Sequence, residues 1–113
     1  MVILYGIGNC DACKKARRWL TQNAIDFRFH DFRIDGLTPE MLAHFADHLS
    51  WEVLINRSST SWRQLDAAEQ ADLNREKSLQ LMLNTPTLIK RPILDTGKQL
   101  FIGFKSGDYP IES

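Results

Sequence analysis

A chain of 113 residues is expected to form one domain with enough apolar side chains for its own core, so neither a disulfide nor a metal staple is required. The charge is balanced, 14 Lys plus Arg against 14 Asp plus Glu, which removes the electrostatic ground for a nucleic-acid or membrane surface. The apolar runs are too short to span a bilayer, and the opening M-V-I-L-Y-G lacks the basic segment and long apolar stretch of a secretory signal, so a cytoplasmic location is expected.

Residues 2–5 form a short apolar run and read as a buried strand. Gly6, Gly8 and Asn9 then turn the chain. A helix follows over about 11–23, with apolar residues at Ala12, Ala16, Trp19 and Leu20. Residues 25–32 alternate, with Ile25, Phe27, Phe29 and Asp31 on one face, the pattern of a half-buried strand. Strand, helix and strand in so few residues make a βαβ unit with parallel strands. Asp35-Gly36 makes a turn, and Thr38-Pro39-Glu40 opens a helix to about residue 49, with threonine as cap and proline in the first position.

The middle of the chain is helical in pieces, over 51–56, 66–71 and 78–83, with a polar loop at 57–61. Residues 88–95 cross into a strand, 96–98 make a hairpin turn, and 100–103 form the partner strand. The tail, 106–113, has a helical reading that Pro110 interrupts. This order is that of an α/β, thioredoxin-like fold. It predicts a four-stranded mixed sheet in a single domain over 1–113, with an inserted helical subdomain at about 38–84.

Cys10 stands where the first strand's turn meets the first helix. The first N–H groups of a helix have no carbonyl partner, and with the macrodipole they favour a thiolate there over a thiol. The other reading is a buried cysteine packed as a small hydrophobe, against which the flanking glycines and asparagine argue. Cys13 lies within one helical turn of it, so it is either a resolving thiol or an inert helix residue. A metal site would need two further ligands, and His30, His44 and His48 show no matching spacing. His30 falls on the polar side of its strand and carries no role.

Arg91-Pro92 precedes the third strand, where thioredoxin-like folds carry a cis-proline beside the reactive sulfur. Arg91 would then face the cysteine and favour its thiolate; otherwise it is a surface arginine beside an edge proline. Arg57 is a second candidate arginine and Arg63 a weaker one. Catalytic candidates are thus Cys10, Arg91, Arg57 and Cys13. Substrate-binding candidates are Asn9, Asp11, Pro92 and Lys105, with no metal.

The motifs Y-G-I-x-x-C-D-x-x-K-K-A-R-x-W-L, F-H-D-F-R, N-R-x-x-T-x-W-R-x-L, I-K-R-P-I-L and G-F-K resemble the arsenate reductase family, in its small YffB-like branch, over nearly the whole chain. The resemblance implies a thioredoxin-like fold, an essential cysteine at position 10, an arginine and cis-proline at 91 and 92, and glutathione as co-substrate with no bound cofactor. Of three arginines around the anion in arsenate reductases, Arg91 matches one, and Arg57 matches a second only with a one-residue shift. The third falls near residues 102 and 103, where no arginine stands; Lys105 is close but not equivalent.

The expected activity is therefore a glutathione-dependent thiol/disulfide reductase rather than an arsenate reductase, which remains the alternative enzyme, working with glutathione and glutaredoxin. Its substrate would be a small oxidised thiol or an oxyanion, and the molecule would act as a monomer. Spx-type regulators resemble the same chain and carry C-x-x-C at this place. They imply a third reading, a redox-sensing partner of the RNA polymerase α subunit's C-terminal domain.

Overall fold

A computed structural model describes residues 1–104 and 109–111. The chain separates into two compact units, Met1–Gly36 with Arg91–Ser113, and Leu37–Lys90.

In the first unit β1 (Val2–Gly6), α1 (Asp11–Gln22) and β2 (Phe27–Asp31) are followed, after the second unit, by β3 (Ile93–Asp95) and β4 (Leu100–Ile102). The sheet order is β2-β1-β3-β4. β1 pairs with β2 in parallel, Leu4 opposite Phe29 and Gly6 opposite Asp31, and with β3 antiparallel, Leu4 opposite Leu94. β3 and β4 are antiparallel, joined by a turn in which Gly97 takes φ +88° and the Thr96 hydroxyl accepts the Lys98 and Gln99 amides. This is the mixed, thioredoxin-like sheet expected from the order of elements.

Alternation in β2 and the helical spacing in α1 converge on one core. Leu4, Ala16, Leu20, Leu94 and Tyr109 are buried together, with Ile25, Phe27 and Phe29 packed against them. The Tyr109 hydroxyl is buried with no hydrogen-bond partner among the described residues. Trp19 stacks edge-on against Phe104 and Tyr109, as expected of a packing tryptophan. Among the expected helical tail, residues 109–111 carry no helix, and the rest lies outside the described residues.

The second unit holds α2 (Pro39–Leu49), α3 (Trp51–Leu54), α4 (Thr60–Arg63), α5 (Ala67–Gln70), α6 (Arg75–Asn84) and a 3-10 turn at Pro86–Leu88. Its helices start on side-chain caps: Thr38 accepts the Met41 amide, Ser59 the Trp62 amide, and Asn74 the Lys77 amide. Asp66 and Glu69 form a reciprocal capping box. Leu42, Phe45, Leu54, Met82, Leu88 and Ile89 are fully buried.

Three local expectations need correction. Residues 57–61 are not all loop, because the Ser59 cap starts α4 at Thr60. The helix expected at 78–83 begins at Arg75, since the cap rather than the first leucine sets its start. The strand expected at 88–95 is reduced to Ile93–Asp95. Ahead of it come the 3-10 turn, an Ile55–Ile89 bridge and Pro92, which has no N–H to give a ladder.

Candidate active site

Cys10 is the N-cap residue of α1, with extended backbone angles (φ −94°, ψ 126°) and a partly exposed side chain. The turn that delivers it runs from Ile7 to Cys10 and is closed by the Cys10 amide donating to the Ile7 carbonyl at 3.2 Å. Asn9 at the turn and Asp11 at the helix start are both exposed. Lys14 and Lys15 lie on the exposed face of α1.

The sulfur's surroundings favour the anion. Burial pushes the Cys10 thiol up, but the Cys13 amide, the Cys13 thiol and the Arg91 guanidinium together outweigh it, so the group lies below its ordinary value. The Cys13 amide, the Cys13 thiol and the Arg91 guanidinium are all directed at the sulfur, and as hydrogen-bond donors and charge they stabilise its thiolate.

Cys13 behaves in the opposite way. It has 0% exposure, and burial pushes its thiol up to about 12. The Ile7 amide opposes that rise, while Cys10 adds to it. Its Sγ occupies space left by a missing side chain, since a Cβ on Gly6 would fall under 3 Å from that sulfur. One acidic, accessible sulfur thus sits against one buried, neutral sulfur.

Arg91 is half-buried and joins Pro92 through a cis peptide bond, the arrangement expected for this pair. Pro92 is fully buried, and its carbonyl accepts the Gly103 amide at 2.8 Å. The structure thus brings Cys10, Cys13, Arg91 and Pro92 together in the first unit. Arg57 belongs to the second unit, exposed, with its guanidinium 5.7 Å from the Trp62 ring centre. Arg63 is engaged by the Ser58 carbonyl and Thr60 hydroxyl. Lys105 lies outside the described residues. No group of three or more His, Cys, Asp or Glu side chains among the described residues could hold a metal ion, and no described helix is long and apolar enough to cross a membrane.

Two residues at this site carried no role in the sequence reading. The first, Gly6, read from the sequence as part of the turn, instead ends β1 and leaves the space for the Cys13 sulfur. The second is Asp31, 6% exposed at the end of β2, whose Oδ2 accepts the Gly8 amide and whose Oδ1 accepts the Arg33 amide, both at 2.8 Å. A carboxylate closing an alternating strand, opposite the glycine that precedes the turn, was the available signal. His30 also departs from expectation. It is buried, not solvated: its ring lies against Tyr5 and Phe32, and its Nε2–H donates to the Gly36 carbonyl at 2.7 Å.

Comparison with known proteins places this arrangement. The ArsC family model matches residues 5–111. An uncharacterized protein of Haemophilus influenzae is 40% identical over 109 residues, 96% of each chain. The global transcriptional regulator Spx of Lactiplantibacillus plantarum is 29% identical over 110 residues, 96% of this chain and 83% of the regulator. A solved structure of a YFFB protein superposes with a TM-score of 0.89 at 40% identity, covering 92% of this chain and 91% of that one. Sheet, cysteine turn and matched length agree, and the chain belongs to the ArsC family.

Proposed function

We propose that the protein is a glutathione-dependent thiol/disulfide reductase with Cys10 as its nucleophile. The observation that carries this reading is the partly exposed Cys10 sulfur at the start of α1, held toward its thiolate by the Cys13 amide and Arg91. The thiolate attacks one sulfur of a substrate disulfide. The S–S bond breaks, the departing sulfur takes a proton from water, and a mixed disulfide with Cys10 forms. A first glutathione thiolate releases the second substrate thiol and leaves Cys10 joined to glutathione. A second glutathione restores the Cys10 thiolate and departs as glutathione disulfide. Two glutathione thiols supply the two electrons the substrate disulfide gains.

Glutathione rather than Cys13 resolves the intermediate in this reading, because Cys13 is fully buried and that burial pushes its thiol up, away from the thiolate that attack requires. Among the described residues, the side chain shown acting on the sulfur as a lasting cation is Arg91. A doubly charged oxyanion needs more, since each charged hydrogen bond not made forgoes about 1.5–3 kcal/mol. A disulfide carries no such requirement.

The test is turnover of a small mixed disulfide with glutathione. Wild type and Cys13→Ala turn over, and Cys10→Ser falls to the uncatalysed background. Turnover surviving in Cys10→Ser, or lost in Cys13→Ala, refutes the scheme. Arsenate run in parallel tests the oxyanion alternative. The Spx relative and the C-x-x-C spacing favour a second reading, a redox-responsive regulator binding the RNA polymerase α subunit's C-terminal domain. Capture of that domain, altered by oxidation, in a protein without glutathione turnover would establish it.

A further inference from the structure

We propose that Asp31 is the positioning residue of the Cys10 turn: its carboxylate fixes the Gly8 amide and thereby aims the Cys10 sulfur at the α1 N-terminus and Arg91. The inference rests on reading Cys10 as the nucleophile, and it adds a residue with no other assigned part.

The turn 7–10 has few anchors. The Ile7 side chain is buried, at 3% exposure, and the Ile7 amide faces the Cys13 sulfur. One bond, from the Cys10 amide to the Ile7 carbonyl, closes the turn on itself. Among the described residues, the tie from the centre of the turn to another element is the Gly8 amide donating to Asp31 Oδ2 at 2.8 Å. Gly8 is suited to that approach, since a Cβ there would lie 3.2 Å from the same oxygen.

Asp31 is itself held on every side. Its amide donates to Asp35 Oδ2 at 2.9 Å, its carbonyl accepts the Ile34 and Asp35 amides, and its Oδ1 accepts the Arg33 amide. The Phe32 amide meanwhile donates to the Gly6 carbonyl, continuing the link between β2 and the end of β1. A buried carboxylate is retained only where donors satisfy it, and here two amides do so. The end of β2 is thus held by several hydrogen bonds of its own, and the Asp31 side chain carries that support into the cysteine turn. A sulfur displaced by a fraction of an ångström loses alignment with the amide and guanidinium that stabilise its charge. The titratable and charged groups concerned are Arg91 and the Cys13 thiol, which face Cys10, and the Asp35 carboxylate, which accepts the Asp31 amide; the Arg33 backbone amide on Asp31 is a neutral donor.

Asparagine at this position offers one acceptor oxygen to two amides, and alanine offers none. The experiment follows iodoacetamide alkylation of Cys10 against pH in wild type, Asp31→Asn and Asp31→Ala, alongside amide hydrogen exchange at Gly8 in the wild type. The expected alanine result is a midpoint moved upward, with the rate at a fixed pH below both midpoints down by about tenfold. Asparagine falls between, and the wild-type Gly8 amide exchanges slowly. Unfolding is measured on the same variants, because lost stability alone would leave the alkylation midpoint in place.

A freely exchanging Gly8 amide in the wild type overturns the proposal, even if Asp31→Ala fails to fold. So does an alanine variant with wild-type midpoint and rate. An ordinary thiol midpoint in the wild type overturns the Cys10 reading and this proposal with it. A depressed wild-type midpoint that the variants leave unmoved overturns this proposal alone.

Discussion

Gly6→Ala tests how closely the two sulfurs and the sheet are fitted. Gly6 is buried in β1, and its carbonyl accepts the Phe32 amide at 2.9 Å, so the backbone has little freedom to withdraw. The added Cβ would meet the Cys13 Sγ at under 3 Å, and that sulfur is fully buried on a short side chain. Overpacking of this kind costs about 1–3 kcal/mol. The reduced freedom of the unfolded chain returns only about 0.4–1 kcal/mol. The net expectation is a loss of about 1–2 kcal/mol.

Cys13→Ala alone removes one buried sulfur, close to a methylene in size, at about 1 kcal/mol. In that background the clash is gone. The nearest atoms to the new Cβ are then the residue-13 Cβ at 3.5 Å and Phe29 Cε1 at 3.6 Å, both ordinary contacts. Gly6→Ala should therefore cost nothing there, or stabilise slightly, giving a coupling of about 2 kcal/mol in favour of the double variant. Urea unfolding of the four proteins with matched slopes measures it. Additivity within about 0.5 kcal/mol would refute the claim that Gly6 is the room for the Cys13 sulfur.

Two further outcomes follow from the same charges and burial. Arg91→Met should move the Cys10 alkylation midpoint upward and slow alkylation below it by roughly several-fold, since a cation facing the thiolate is lost; an unchanged midpoint would detach Arg91 from the sulfur. Cys13 has a pKa raised from 9.0 to about 12 by burial, so it favours the folded state fully below pH 9. Above that the unfolded chain releases its proton first, and stability should fall as pH rises from 9 toward 12, by up to about 1.4 kcal/mol per pH unit from this group. The slope difference between wild type and Cys13→Ala in that range isolates it, and identical slopes would refute it.

The sheet and the cysteine were legible because each depends on short-range pattern. Alternation at Phe27 and Phe29 and the spacing of Ala16 and Leu20 force these faces into one core. Thr38-Pro39 announces its helix through the bond the threonine makes. The boundaries that slipped were set by single caps inside polar runs. Ser59 and Asn74 look like loop residues until their side chains are seen to accept an amide three positions on. The strand expected from residue 88 failed for a different reason. Leu88, Ile89 and Ile93 are apolar and buried on both sides of the break, so hydrophobicity could not mark where the ladder begins.

The candidate site divides along the same line. Cys10 and Arg91-Pro92 have local signatures, a strand-to-helix turn and a proline before a strand. Gly6, Cys13 and Asp31 act through contacts between residues 7 and 23 positions apart in sequence, so their parts exist only once α1 lies against β1 and the parallel pairing of β1 and β2 sets Gly6 opposite Asp31. That register also explains why a carboxylate is tolerated inside. A shift of one residue would turn Asp31 to the opposite face of the sheet, away from the Gly8 amide, and bring a neighbouring side chain into the position the carboxylate now fills. The pairing that builds the core and the bond that holds the cysteine turn are therefore one constraint, and the thiolate's chemistry is anchored in the sheet rather than in the turn that carries it.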